Sequence, residues 1–526
     1  MFVGLTTEKT IEVEVFRFDP TMDSKPKYTA YRVPFSFEKM KVIDVLRYIY
    51  EKLDHTLSFT WDCRLWNCGL CGVTVNKRPC LACITDVKDV AISNELLIEP
   101  LPYYPVLKDL VIDRTVEMEQ TRKLGVKYIG VGTPDSIPEP MDPEKIRFHR
   151  DWYLTCIDCL VCSSACPVFS EKYAFIGPHL SLKLAKYLSH PKDGGNRAEQ
   201  AQKGGLFQCL NCGRCDTVCP LELDVSSNTM ELLKSEAVEK SLVPPSIRDF
   251  LGNIHKFANP WGEPKSKRRQ WTEKMNIEDY DSKKHKYLLY VGCVGSYDTR
   301  AQQMSKALTA LLAKSDVSFG ILGNSENCDG NEVDRIGEKG LFQLIAEENI
   351  QQFNKAGVTQ IITLSPHAYN TMKNDYPRLG GRFEVAHYTQ VLNTLIDHRR
   401  LKVAKSLEAK ITYHDPCFLG RHNDEYDSPR ELLKAIPGVD LVEMERYREN
   451  SFCCGGGGGN FYTELVNDER SPGGIRVEEA YNTGARILAV SCPTCLIMLE
   501  DSVKTQDLDE KIVVKDISEI LKDVVD

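Results

Sequence analysis

The residues with the most chemistry to offer are cysteines: 20 in a chain of 526, most of them in tight C-x-x-C groupings. Cys63, Cys68 and Cys71 have the C-x4-C-x2-C spacing that wraps a 2Fe-2S cluster. Of the two cysteines that follow, Cys83 is assigned as fourth ligand and Cys80 as a spare, buried thiol. Gly69 and Gly72 leave room for close backbone approach in that loop. Further on, Cys156, Cys159, Cys162 and Cys166-Pro167 read C-x2-C-x2-C-x3-C-P, and Cys209, Cys212, Cys215 and Cys219-Pro220 repeat it. In this pattern the fourth cysteine of each run ligates the other cluster. One 4Fe-4S cluster is therefore assigned to Cys156, Cys159, Cys162 and Cys219, and a second to Cys209, Cys212, Cys215 and Cys166. Zinc, which favours two separated pairs of ligands, fits these runs less well.

A third constellation joins Cys417, Cys453-Cys454 and Cys492-Pro493-Thr494-Cys495. Five thiolates exceed what a cubane or a zinc ion takes, which points to an unusual cluster. Gly455 to Gly459 follow the paired cysteines directly, and their N–H groups can approach sulfur as donors. The run lacks the Lys-Ser/Thr ending of a phosphate loop. His414 is open to two readings, a donor or proton carrier beside the cluster and a structural histidine.

The elements that must position these cysteines are legible in part. Ile11 to Phe18 and Ala30 to Phe35 read as strands, and Lys39 to Asp54 carries the Val42, Val45, Leu46, Ile49, Leu53 stripe of an amphipathic helix. Gly130 to Pro143 has linker composition, and the basic stretch Pro264 to Arg269 reads as a second, solvated connector. The last 240 or so residues repeat: Cys293 recurs at Cys417, Cys328 at Cys453, Ser365 at Cys492 and Ala368 at Cys495, spaced by 124, 125, 127 and 127 residues. Apolar runs lead into the landmarks (YLLYVGC, ITYHDPC, QIITL, RILAV), and Thr299 to Ser315 is helical in pattern, so each copy should be an α/β layer with its site at strand ends. The first copy is eroded. It is either a vacant structural half or a metal site, such as zinc, completed by Asp329 or His367.

Hydrophobic residues make up 42% and charged residues 27%, with a net charge of -9 and a pI near 5.8, so no broad basic footprint for nucleic acid exists. No run approaches the ~18 apolar residues of a membrane span, and MFVGLTTEKTIEVEVF has no signal-peptide regions. The expectation is a cytoplasmic chain, membrane-associated only through a partner. There is no complete dinucleotide fingerprint, because Gly130-Val131-Gly132 lacks the third glycine; flavin chemistry is expected in another subunit.

Two families are resembled end to end. VFRFDP, FTWDCRLWNCGLCGVTVNKRPCLAC, EPLPYYPVLKDLVID and both cysteine runs resemble the iron-sulfur subunit of succinate dehydrogenase and fumarate reductase. The usual member has a 3Fe-4S cluster in its second run, whereas the spacing here predicts a full 4Fe-4S cluster. HDPC, CCGGGGG and SCPTC resemble the CCG domains of heterodisulfide reductase. That resemblance implies a noncubane 4Fe-4S cluster on Cys417, Cys453, Cys454, Cys492 and Cys495, which would be the reacting centre. The fusion is similar to the iron-sulfur subunits of thiol:fumarate reductases, whose partner subunits carry the flavin.

The resemblance implies a multidomain α+β and α/β chain: a β-grasp 2Fe-2S ferredoxin domain (1–115), an α-helical two-cluster ferredoxin domain (116–275), and tandem α/β CCG domains, degenerate (283–400) and intact (401–526). It implies an electron-transfer subunit of an oxidoreductase. The partner is a flavoprotein that holds FAD, and the acceptor is a thiol/disulfide couple or, alternatively, a quinone module or carrier protein.

Overall fold

The computed structural model describes residues 9–35, 39–130, 143–170, 174–190, 192–466 and 471–525. Most of the expected linker, residues 131–142, lies outside them. The chain folds as two compact units: Met1–Leu206 with Arg214–Leu233, and Phe207–Gly213 with Lys234–Asp526.

In the first unit, β1 (Thr10–Arg17) alternates as its sequence predicts, burying Ile11, Val13 and Val15. It pairs antiparallel with β2 (Lys27–Pro34), which begins three residues earlier than its apolar residues suggest. Helix α1 (Val42–Tyr48) buries Val42, Val45 and Leu46, then widens into a π turn over Ile49–Leu53. The expected stripe ends there, since Ile49 is buried and Leu53 is 46% exposed. The sheet is completed by β3 (Gly72–Val75), β4 (Arg78–Leu81) and β5 (Glu95–Glu99) in the order β2-β1-β5-β3-β4. Strands β3 and β4 form a hairpin whose two-residue loop, Asn76-Lys77, has positive φ at both positions, the conformation that matches strand twist.

The second unit holds two parallel four-stranded sheets. The first contains β6 (Tyr287–Tyr290), β7 (Phe319–Gly320), β8 (Gln360–Thr363) and β9 (Glu384–His387), in the order β9-β8-β6-β7. The other contains β10 (Ala409–Tyr413), β11 (Val439–Val442), β12 (Ile487–Val490) and β13 (Val513–Asp516), in the order β11-β10-β12-β13. Counted from the first strand of each, the orders mirror one another: β9-β8-β6-β7 is fourth, third, first, second, and β11-β10-β12-β13 is second, first, third, fourth. The shared neighbours are the first and third strands, whose largely buried apolar runs suit a parallel sheet covered on both faces. The chain reverses direction across the sheet between these two strands, and the crevice at their carboxyl ends is where such folds place sites. One apolar core, including Leu289, Met304, Leu308, Ile362, Tyr413, Leu488 and Leu521, runs through both sheets.

Asp516 ends β13 and caps the helix Ile517–Val524 while fully buried. Its carboxylate accepts hydrogen bonds from Ser518 N (2.8 Å) and Tyr388 Oη (2.8 Å). Burial nevertheless raises its pKa to about 7. The folded state thus holds a proton that the unfolded chain, titrating near 3.9, has released, and stability falls as pH rises through that window. The melting temperature of this unit should drop by several degrees from pH 5 to pH 8. In Asp516→Asn that part of the drop should vanish, as calorimetry across the pH range will show.

Candidate iron-sulfur centres

The β3–β4 hairpin builds the first centre. Gly72 pairs with Leu81, and Ala82 N donates to Cys71 O (2.9 Å), so Cys71 just before β3 meets Cys83 just after β4. Ile43 N of α1 donates to Ala82 O (2.9 Å) and fixes that segment. The Cys71 and Cys83 thiols are hydrogen-bonded. The Cys80 thiol instead interacts with Thr85, and burial pushes it up to about 11, an inert group. Cys63 Sγ accepts N–H donors from Leu65 (3.4 Å), Asn67 (3.4 Å) and Cys68 (3.3 Å), which with the Cys68 thiol lower its pKa to about 7. A loop that gathers thiolates and aims backbone donors at sulfur is the donor set a 2Fe-2S cluster needs.

The glycines of this loop have a role that spacing alone does not reveal. Gly69 has φ +67°, and a Cβ there would lie 2.4 Å from Ile157 O and 3.1 Å from Cys159 Cα. Backbone thus touches backbone between the first centre's loop and the first cubane run.

That run leads into a short helix, Val161–Ala165. Cys156, Cys159, Cys162 and Cys219 line one small cavity, of about 20 Å³, whose remaining wall includes Ile157, Leu160, Leu182, Leu223 and Val225. Backbone N–H groups of Asp158, Val161 and Ser163 reach Cys156, Cys159 and Cys162, and those of Leu221, Glu222 and Leu223 reach Cys219. Four sulfurs, apolar walls and inward N–H donors fit a 4Fe-4S cubane. At the rim, His179 Nε2 meets Asp158 Oδ1 (2.7 Å), and this hydrogen bond lowers the Asp158 carboxyl to about 2. In the second run, Cys209 and Cys212 belong to the second unit, while Cys215 and Cys219 belong to the first.

The third centre sits where the sheet order predicts. His414 to Cys417 follow β10, and Cys492 to Cys495 follow the adjacent β12. The helix Pro493–Thr505 has Cys492 as its N-cap, where the helix N-terminus favours thiolate. Cys417, Cys453, Cys454, Cys492 and Cys495 are all buried. Cys453 hydrogen-bonds with Cys417 and Cys454, and Cys495 Sγ lies 3.3 Å from Cys454 Sγ. The Cys212 thiol joins this group through Cys453.

Gly455 N donates to Cys453 Sγ (3.4 Å), while Gly457 and Gly458 serve another purpose. A Cβ on Gly457 would lie 2.4 Å from Leu210 O, and one on Gly458 (φ +63°) 2.3 Å from Cys209 O. Cys209 and Leu210, at the start of the second cubane run, are therefore packed against the glycine run of the third centre.

Several contributors have no signal in the cysteine spacing. Arg476 Nε donates to His414 Nδ1 (3.1 Å), leaving the His414 proton on Nε2, toward Cys454 and Cys495. Hydrogen bonds from Cys453 and Cys495, then His414, hold Cys454 well below the usual thiol range. Arg421 Nε donates to Cys212 O (2.6 Å) and Nη1 to Ser451 O (2.7 Å). Its buried Nη2 finds no hydrogen-bond partner among the described residues. An anionic cluster would satisfy it, so the donor set fits one. His367, from the first repeat, places Nδ1 3.9 Å from Cys492 Sγ. Burial opposes thiolate at Cys492, but hydrogen bonds from Cys495 and His367 outweigh it and lower the thiol to about 5.

One expectation needs correction. Arg268, read as part of a solvated connector, is only 2% exposed; Lys265 and Lys267 do face solvent. It turns inward because a buried carboxylate, Glu326, accepts its Nη2 (2.9 Å). Among the described residues, Cys293, Cys328, Asp329 and His367 do not supply three ligand atoms within 4.8 Å of one another, the convergence one zinc ion requires. His367 is engaged with Cys492 and with Glu332 (3.4 Å) instead.

Family models match in the same order: a 2Fe-2S iron-sulfur cluster binding domain over residues 12–119, a 4Fe-4S dicluster domain over 152–223, and a cysteine-rich domain twice, over 287–373 and 411–500. EtfAB:quinone oxidoreductase of Syntrophomonas wolfei is 32% identical over 70% of this chain and 57% of its own. The probable iron-sulfur-binding oxidoreductase FadF of Bacillus subtilis is 37% identical over 60% and 46%. The chain thus spans about half the length of these two relatives. A fumarate reductase (CoM/CoB) subunit of Methanothermobacter marburgensis is 30% identical over 95% of this chain and 96% of its own. A solved structure of a hypothetical protein from Helicobacter pylori shares the fold, with a TM-score of 0.62 at 15% identity over 99% of this chain and 96% of that one. No helix among the described residues is long and apolar enough to cross a membrane. With near end-to-end similarity and all three domain types in order, the chain belongs to the same iron-sulfur protein family as that fumarate reductase (CoM/CoB) subunit.

Proposed function

We propose that the chain is the electron-relay subunit of an oxidoreductase, joining a flavoprotein partner to a thiol-reactive centre in its last repeat. The observation that carries this reading is the pair of glycine contacts. Gly69 seats the first centre's loop on the first cubane run, and Gly457 with Gly458 seat the second cubane run on the third centre. Close packing of cluster-bearing loops serves electron transfer.

In this reading Cys63, Cys68, Cys71 and Cys83 hold a 2Fe-2S cluster. Cys156, Cys159, Cys162 and Cys219 hold one 4Fe-4S cluster, and Cys209, Cys212, Cys215 and Cys166 the other. Cys417, Cys453, Cys454, Cys492 and Cys495 hold a noncubane 4Fe-4S cluster. When bound, these groups supply one-electron storage at potentials set by their surroundings. The protein's part is to fix spacing, donate hydrogen bonds to sulfur and exclude water. At the third centre His414 Nε2–H and His367 direct donors at Cys454 and Cys492, and Arg421 adds fixed positive charge beside Cys417 and Cys453. The flavoprotein docks at the 2Fe-2S loop, where Leu65 and Trp66 are 69% and 54% exposed beside Trp61 and Leu70.

The test is anaerobic EPR of the oxidised protein with and without candidate thiols, in wild type and Cys454→Ser. A paramagnetic signal that needs both thiol and Cys454 is the expected result. Spectra indifferent to every thiol, with the other clusters reducing normally, would favour the second reading. There the third centre passes electrons to a quinone module or carrier protein, a reading supported by the similarity to EtfAB:quinone oxidoreductase.

A further inference from the structure

The eroded first repeat retains two cysteines that the relay does not use. Cys293 and Cys328 follow the first and second strands of its sheet, and their thiols hydrogen-bond to one another. Both line a cavity of about 30 Å³, together with Asp329, His367 and Tyr462. The buried guanidinium of Arg268 reaches Cys293 Sγ from Nη2 (3.5 Å) and Nη1 (3.6 Å). Glu326 holds that guanidinium in place through Nη2 (2.9 Å) and Nε (3.3 Å), and its carboxylate is itself fixed by Gly292 N (2.9 Å) and Val291 N (3.1 Å). Arg268 also donates to Asn327 O (3.1 Å), next to Cys328.

The two thiols are therefore unlike. Cys293 has a fixed cation and a thiol donor, which stabilise thiolate despite burial, whereas the proximity of Cys293 and burial keep Cys328 protonated. That is the division of labour between an attacking and a resolving cysteine. A metal would need a third ligand atom within reach, which the described residues do not supply.

We propose that Cys293 and Cys328 form a redox-active dithiol that exchanges with a small disulfide presented at the mouth of this cavity. Cys293 thiolate attacks one sulfur of the disulfide, forms a mixed disulfide and expels the other half as a thiolate. That thiolate takes the proton of Cys328. Cys328 then attacks Cys293 Sγ, closing the Cys293–Cys328 disulfide and releasing the second half as a thiolate. The dithiol loses two electrons and one proton, and the small disulfide gains both, leaving as one thiol and one thiolate. Pro493 and Thr494, between two cysteines of the third centre, line the same cavity, so that centre and the dithiol would meet one substrate pool. The choice of a disulfide as reactant rests on the thiol chemistry proposed above.

The test uses the anaerobically purified holoprotein and 2-hydroxyethyl disulfide. After exposure, the protein is denatured with an alkylating reagent, digested and read by mass spectrometry. A Cys293–Cys328 linked peptide is expected in wild type. Cys328→Ser should trap the mixed disulfide on Cys293, and Cys293→Ser should give no adduct on Cys328. Arg268→Gln should slow linkage by roughly tenfold, as the thiolate fraction falls. The linked peptide should also form in Cys454→Ser, which separates this site from the third centre: linkage there without any thiol-dependent EPR signal would keep the dithiol and reject the thiol reading of the cluster. Full alkylation of both cysteines in exposed wild type would overturn the proposal, and so would equal adducts in the two cysteine variants.

Discussion

Replacing Gly458 with alanine is expected to slow reduction of the third centre, because parting the two loops lengthens the gap that electrons must cross. At φ +63° an alanine costs about 1–2 kcal/mol in backbone strain. The larger problem is its Cβ, 2.3 Å from Cys209 O and 3.1 Å from Leu210 Cα. Both neighbours are backbone atoms, so the loops must part. Freeze-quench EPR after rapid mixing with reductant should show the earlier clusters filling at the wild-type rate and the last one lagging. Gly340→Ala is the control. Its Cβ would meet only the far end of Glu338, at 3.4 Å, and transfer should be unchanged.

Removing Arg430 should cost the third centre altogether. Arg430 and Asp415 are each about 3% exposed, and Arg430 spends all five N–H donors. Nη1 reaches Asp415 Oδ1 (2.6 Å) and Tyr426 O (2.8 Å); Nη2 reaches Asp415 Oδ2 (3.0 Å) and Glu443 Oε2 (2.9 Å); Nε reaches Glu443 Oε1 (2.7 Å). Asp415 Oδ2 also accepts Arg448 N (2.8 Å), so the pair anchors the loop that delivers Cys417. Breaking a buried pair from one side leaves an unpaired charge, at about 3–5 kcal/mol. Arg430→Ala should therefore purify with less iron and a lower melting temperature, with the 2Fe-2S signal retained. Equal iron content in variant and wild type would remove Asp415 and Arg430 from the support of this centre.

What the sequence revealed follows from which forces are local. Alternation in Thr10–Arg17 marks a half-buried strand because each residue's face is set by its neighbours. The period of about 125 residues anticipates two sheets with the same neighbour relations, and the apolar runs before Cys293, Cys417 and Cys492 mark their strands. Cysteine spacing is likewise a local constraint, since one loop must wrap one cluster. Contacts between distant segments left no such trace. Gly69 reads as room for a cluster within its own loop until Ile157 is found against it, and Gly458 as a backbone donor to sulfur until Cys209 is. Arg268 reads as surface charge because its partner, Glu326, lies 58 residues away. The repeat sets His367 in the first copy, beside Cys293 and Cys328, whereas the fold turns it to Cys492 in the second.

Iron and acid-labile sulfide analysis with Mössbauer spectroscopy of the anaerobically purified chain tests the four-centre relay most directly. About 14 irons per chain are expected, from one 2Fe-2S and three 4Fe-4S clusters. The Cys454→Ser variant should lose only the component belonging to the noncubane centre. A colourless protein holding zinc without acid-labile sulfide would contradict the four-centre relay, as would a full complement of wild-type components in that variant.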